Sequence, residues 1–229
     1  MYGYVKVGSA VPKLRVADCV YNKEEILKLV EAAAAKQVRV LSFPELSVTG
    51  YTCADLFFQA PLLHAAEQAI QEIAEATKAL NIFLLIGAPI AVDNQMFNCA
   101  VALYRGKLLG IVPKTHIPNY SEFYEERWFA SADDLLTEEI TYAGQNVPIG
   151  ADLIFAAADF PALKIGVEIC EDLWVPIPPS SYLSLYGATL LLNLSASNEL
   201  ASKPGYRRQL VSQQSARCLS AYVYTSAGT

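Results

Sequence analysis

The sequence predicts an α/β protein built from stacked layers. Three observations carry that expectation. Helical patterns alternate with apolar strands at both ends of the chain, which is the order of packed α/β layers. The middle carries short strands in hairpin order, which excludes a purely parallel sheet. Most strands are apolar on both faces, as in VRVLSF (38–43), IFLLIGAPI (82–90) and ATLLLNLSA (188–196). Such strands need cover on each side, from helices or from a second sheet.

The elements follow in order. Residues 2–11, YGYVKVGSAV, alternate as a first strand. Asn22 reads as the cap of a helix through LKLVEAAAAK, with the acids of NKEE in the first turn, where the helix dipole favours them. Residues 38–43 form a buried strand, and the loop PELSVTGYTCADLF follows. Residues 62–80 are the clearest amphipathic helix. Residues 82–90 form another buried strand. Residues 97–104 and 108–113, joined through Arg105, Gly106 and Lys107, read as a hairpin. A long loop runs from Lys114 to Asp134. Strands are expected near 139–142, 152–155 and 163–169, the last ending at Cys170. Then come a strand at 188–196, a helix over 205–219 and a final strand at 221–227.

With 229 residues, 53% hydrophobic and 17% charged, the chain can build a large core. It has no Gly/Pro/Ser-rich linker and no internal repeat, so residues 1–229 read as a single domain. A net charge of −6 argues against a nucleic-acid partner. The one basic cluster, Lys203, Arg207 and Arg208, suits a small anion at most. The five cysteines form no CxxC pair, and with two histidines they argue against structural zinc. The N-terminus has no signal-peptide pattern, and ATLLLNLSA is too short to span a bilayer. Together with the odd cysteine count, these features point to a reducing, cytoplasmic setting without a membrane partner. A GxGxxG fingerprint and a Walker-type phosphate loop are both absent from the sequence.

Three reactive side chains stand just after buried strands: Glu45, Lys114 and Cys170. Strand ends are where α/β folds collect catalytic groups. GVEICEDLW (166–174) sets Cys170 among Glu168, Glu171 and Asp172, and neighbouring carboxylates oppose a thiolate. A base and a cation from elsewhere would resolve that conflict. Glu45 would take the thiol proton, and Lys114 would offset the negative charge and hold an oxyanion together with the backbone N–H after Cys170. Cys170 would then attack a carbonyl or nitrile carbon. Taken singly, each residue has an ordinary role: a packed core thiol, a loop carboxylate, a surface charge. A Cys–His enzyme would need His64 or His116, and the surroundings of Cys170 lack a CGSCW pattern.

FPELSVTGY (43–51), KTHIPNY (114–120) and VEICEDLW (167–174), in that order, resemble the nitrilase superfamily of carbon–nitrogen hydrolases. Within it, KTHIPNY…FYEERWF, EICEDLWVPIPPSS and NLSASN are similar to the glutaminase domain of glutamine-dependent NAD⁺ synthetases. The resemblance implies a four-layer α-β-β-α sandwich and a Glu–Lys–Cys triad of Glu45, Lys114 and Cys170. It implies glutamine-binding roles for Tyr120, Ser197 and Lys203, and an α-amino contact at Glu171. For the superfamily's second glutamate, Glu125 is the first choice and Glu122 the second. L-glutamine, a synthetase domain and further copies of the chain are the implied partners. No cofactor is expected in this chain; ATP and Mg²⁺ would belong to the synthetase domain. The chain ends at YTSAGT without an SGGxDS-type loop. The expectation is therefore a domain incomplete at its C-terminus, without the synthetase part and with an open sheet edge. Two other readings remain: a stand-alone amidase for another small amide, and a non-catalytic interaction or regulatory fragment. The intact triad argues against the last.

Overall fold

The computed structural model describes residues 3–228; Tyr2, in the first expected strand, lies outside them. The elements are β1 (Val7–Ser9), α1 (Cys19–Ala35), β2 (Val40–Ser42), α2 (Ala60–Thr77), β3 (Phe83–Val92), β4 (Gln95–Tyr104) and β5 (Lys107–Pro113). They continue with β6 (Glu139–Tyr142), β7 (Gln145–Pro148), β8 (Ile154–Ala156), β9 (Lys164–Ile169), α3 (Pro179–Leu185), β10 (Leu190–Ser195), α4 (Lys203–Cys218) and β11 (Ala221–Ser226). Single turns of 3-10 helix include Glu125–Arg127 and Cys170–Trp174.

One sheet has the order β1-β2-β3-β4-β5 and a second has β11-β10-β9-β8. β1, β2 and β3 run parallel, as do β9, β10 and β11, while β4, β5 and β8 are antiparallel to their neighbours. The side chains show how the sheets stack. Val40, Phe83, Leu85, Ala100, Ala102 and Val112 of the first sheet meet Ile165, Val167, Ile169, Leu190, Leu192 and Leu194 of the second. The alternate residues Leu41, Leu84, Ile86, Val101 and Leu103 turn outward and pack with Ile26, Val30, Ile70 and Ile73 of α1 and α2. On the far side, Leu191 and Ala188 pack with Leu183 of α3. The layers are therefore helix, sheet, sheet, helix. The double-faced apolar strands follow from this stacking, because each sheet has a core on both sides.

Several local expectations are corrected. Asn22 does not cap α1. Asp18 does, accepting the Tyr21 N–H at 3.0 Å. Asn22 lies inside the helix, buried, accepting the Arg15 N–H (2.8 Å) and donating to the carbonyls of Arg15 (2.8 Å) and Val48 (3.0 Å). Glu24 and Glu25 thus fall beyond the first turn. The first strand covers only three residues, because β1 has one partner over that length. β3 and β4 run longer than expected and join at Asp93-Asn94, whose positive φ values (48° and 64°) suit a tight hairpin. β7 and α3 have no counterpart in the sequence reading. β7 pairs with β6 across Ala143-Gly144, also at positive φ, and is too short and polar to show a strand pattern. α3 spans seven residues, too few for periodicity, and opens on Pro179, a residue suited to a first helical position. Among the described residues no helix is long and apolar enough to cross a membrane.

Candidate active site

The chain places Glu45 first. β2 is followed by a turn that stays buried throughout residues 41–50. A buried loop must satisfy its own backbone. Here the Phe43 N–H donates to the Leu85 carbonyl (2.9 Å), Val48 to Gly87 (3.1 Å) and Gly50 to Leu46 (2.8 Å). The turn lies directly on Gly87 of β3. A Cβ there would sit 2.3 Å from the Leu46 nitrogen and 2.6 Å from the Pro44 oxygen. The strand glycine is thus the platform on which Glu45 is held. Asn98 of β4 donates to Oε1 at 2.7 Å, and the Ala196 N–H donates to Oε2 at 2.9 Å.

Lys114 follows β5, and its N–H extends the ladder by donating to the Asn98 carbonyl (2.8 Å). Its side chain is fully buried. Nζ lies 2.8 Å from Glu45 Oε1 and 2.9 and 2.8 Å from the two oxygens of Glu125. Burial alone would disfavour the ammonium, but Glu45 and Glu125 outweigh it and hold the Lys114 pKa well above its ordinary value. Glu125 is itself buried, which raises its pKa against the pull of Lys114; its Oε1 also accepts the Tyr51 O–H at 2.6 Å. Glu125, and not Glu122, is therefore the second carboxylate on the lysine.

Cys170 stands at the end of β9 with φ of +46°, a backbone conformation rare for a residue with a side chain. The turn is fixed by Asp172. Its Oδ2 accepts the Ile169 N–H (2.9 Å), and its Oδ1 accepts the N–H groups of Thr115 (3.2 Å) and His116 (2.7 Å). One side chain thus ties the nucleophile turn to the lysine loop. Burial pushes the Asp172 pKa up to about 8, while the backbone donors pull the other way. The Cys170 N–H donates to Asn193 Oδ1 (3.2 Å). Ser195 Oγ donates to Cys170 Sγ (3.3 Å). Burial pushes the thiol pKa up, Glu45 and Glu125 add to the rise, and Lys114 and the Ser195 hydrogen bond oppose it. Burial and the two carboxylates thus favour the thiol over the thiolate, and a nucleophilic role would call for a base beside it.

A cavity of about 400 Å³ opens onto Cys170. Tyr120, Glu171, Ser197 and Lys203 all line it, so the structure gathers these residues around the thiol. Tyr120 is not packed in the core: it is 54% exposed and donates to Glu171 Oε1 at 2.8 Å. Burial and that carboxylate push the Tyr120 pKa up to about 12. Lys203 opens α4, reaches Asn198 Oδ1, and holds Nζ 5.0 Å from the centre of the Trp174 ring. Phe123, Trp174 and Tyr206 complete the apolar wall. Neither histidine lines this cavity. Among the described residues no cluster of His, Cys, Asp or Glu is arranged to hold a metal ion.

Sequence reasoning missed the supports. Asn98, Asn193 and Ser195 sit beside the reactive groups but read as ordinary strand residues, and Asp172 reads only as a carboxylate opposing the thiolate. Glu168 reads from the sequence only as a carboxylate opposing the thiolate. It is buried, accepts the Ser180 N–H (2.8 Å) and the Tyr222 O–H, and anchors the start of α3. The cue for Gly87 was present, since a lone glycine inside a strand signals close backbone approach.

Comparison with known proteins gives consistent results. Residues 7–229 match the family described as carbon-nitrogen hydrolase. The chain is 39% identical over 227 residues to the glutamine-dependent NAD(+) synthetase of Mycobacterium tuberculosis, and 41% identical over 226 to that of Mycobacterium leprae. Each alignment covers 99% of this chain and 33% of the relative, so the chain spans about a third of the length of these relatives. The glutamine-dependent NAD(+) synthetase structure from Cytophaga hutchinsonii superposes with a TM-score of 0.84 at 31% identity, over 98% of this chain and 37% of that one. An amidase from Nesterenkonia sp. shares the fold, with a TM-score of 0.76 at 17% identity over 99% of this chain and 78% of that one.

Proposed function

The chain belongs to the carbon–nitrogen hydrolase family, and from that premise we propose that it hydrolyses the side-chain amide of L-glutamine. The ammonia would serve a synthetase domain that amidates deamido-NAD⁺, and ATP and Mg²⁺ are assigned to that domain. The observation that carries this reading is the cavity. Cys170 lines it together with groups suited to both ends of an amino acid. Glu171 would take the α-ammonium. Lys203 and Ser197 would take the α-carboxylate, and the aromatic walls would lie along the methylenes.

The chemistry follows from the residues around the thiol. Glu45 takes the Cys170 proton as sulfur attacks the amide carbon. The carbonyl oxygen becomes an oxyanion, held by Lys114 and the backbone N–H after Cys170. Glu45 then gives its proton to the departing nitrogen, and ammonia leaves a thioester. Water attacks that thioester, Glu45 takes a water proton, and glutamate leaves as the thiol re-forms. Glu125 keeps Lys114 charged without entering the proton transfers.

The test is covalent labelling with an electrophilic glutamine analogue, located by peptide mass spectrometry. Label confined to Cys170, slowed by glutamine and lost in Glu45→Gln, is the expected result. Cys19, Cys53, Cys99 and Cys218 serve as controls. Label spread over all five, or no protection by glutamine, would overturn the reading in favour of another amide or an inactive site.

A further inference from the structure

The thiolate of Cys170 faces more negative than positive charge. Glu45 from the turn after β2 and Glu125 from its 3-10 turn act on it, against Lys114 alone. Tyr51, Tyr120 and Tyr224 are the other titratable groups that feel it. A second cation would have to be buried at further cost. A neutral donor stabilises an anion without adding a charge.

Such a donor is present at the end of β10. Ser195 is fully buried, with Oγ 3.3 Å from Cys170 Sγ. A hydroxyl has one proton and two lone pairs. Ser195 Oγ already accepts the Ser197 N–H at 3.1 Å. Its other neighbour is the Tyr224 hydroxyl of β11, at 2.5 Å. With the serine proton directed at sulfur, Tyr224 must donate to Ser195. The Arg207 guanidinium lies 5.7 Å from the centre of the Tyr224 ring. The chain of hydroxyls therefore runs in one direction, from Tyr224 through Ser195 to Sγ.

We propose that Ser195 is a further catalytic residue, the donor that holds the Cys170 thiolate, and that Tyr224 is the positioning residue that sets its direction. This rests on Cys170 being the nucleophile. The test is the rate of Cys170 alkylation by iodoacetamide as a function of pH, read by peptide mass spectrometry. The proteins compared are the parent chain, Ser195→Ala, Tyr224→Phe and the double variant.

A hydrogen bond to a charged group predicts a loss of about tenfold or more in Ser195→Ala at neutral pH. That deficit should narrow as pH rises, because alkali forms the thiolate without help. Tyr224→Phe should lose less, in the same direction. The double variant should match Ser195→Ala, because Tyr224 acts through Ser195. Tyr224→Phe retains the ring and its packing, so it stands as the second test where Ser195→Ala disturbs the fold. An unchanged rate in Ser195→Ala, a loss equal at every pH, or losses that add in the double variant would each overturn the proposal. If Cys170 in the parent chain reacts no faster than the four other cysteines, the nucleophile reading itself falls; a selective Cys170 with an unmoved pH profile in Ser195→Ala removes only the serine's role.

Discussion

Replacing Lys114 with methionine tests the charge arrangement at its centre. The substitution keeps the unbranched stem, one atom shorter, and removes the ammonium. In the native site Nζ lies 2.8 Å from Glu45 and 2.8 Å from Glu125, with all three side chains at 2% exposure or less. Removing one partner of a buried ion pair costs about 3–5 kcal/mol, because the remaining charge is left uncompensated. Here two carboxylates lose the same cation. Glu45 keeps the Asn98 amide and the Ala196 N–H, and Glu125 keeps the Tyr51 hydroxyl. Those bonds limit the loss to about 4 kcal/mol at pH 8, within the range for a single broken pair. The pH dependence has a definite sign. Burial already raises the Glu125 pKa in the folded state, and loss of the cation raises it further. A carboxyl with a raised folded pKa contributes stability fully below its unfolded value of about 4.3, and that stability is lost as pH rises toward the folded value. The deficit of Lys114→Met against the parent should therefore be largest at pH 8 and smaller at pH 5. Urea unfolding followed by circular dichroism at both pH values measures it. Adding Glu125→Gln to Lys114→Met should recover about half of the loss. A deficit below about 1 kcal/mol at pH 8 would refute the reasoning, given the 3–5 kcal/mol expected of a broken buried pair. So would a deficit that grows as the pH falls.

Gly87→Ala should displace the Glu45 turn, since the new methyl would meet backbone atoms at 2.3–2.8 Å. Labelling of Cys170 by a glutamine analogue should fall about a hundredfold, the scale of an ångström-level misplacement of a catalytic group; labelling within threefold of the parent would contradict this. Asp172→Asn turns one of its acceptor oxygens into a donor facing a backbone N–H. It should lower stability by about 2 kcal/mol, measured by urea unfolding, with an unchanged midpoint as the contrary result. Tyr120→Phe frees Glu171 from its 2.8 Å hydrogen bond. The glutamine concentration needed to protect Cys170 should rise about tenfold, the scale of one hydrogen bond to a charged group, while labelling without glutamine stays the same.

What the sequence made legible was whatever local pattern records. Glu45, Lys114 and Cys170 each end an apolar run, so their placement at strand ends could be read directly. Strands apolar on both faces show that each sheet is covered twice, while the second sheet as cover comes only from the resemblance to the nitrilase superfamily. The supporting residues could not be read, because their roles are set by distant segments. Asn22 has the composition of a cap and the position of a buried clamp, held by Arg15 and by the Val48 carbonyl, 26 residues on. Asp172 reads as a carboxylate opposing the thiolate until Thr115 and His116 arrive from the loop after β5. α3 and β7 were illegible for a simpler reason, since seven and four residues carry no period.

The spread of the site along the chain has a consequence for synthesis. Glu45 accepts from Ala196, 151 positions away, and Asp172 bridges 57 positions to Thr115. A nascent chain must extend past Cys170 before the carboxylates, the lysine and the thiol can meet, and past β10 before the Ala196 N–H can reach Glu45. Until the two sheets dock, Cys170 lacks the surroundings that Glu45, Lys114 and Ser195 give it. The surroundings of Cys170 are therefore a product of late folding and not of its local sequence.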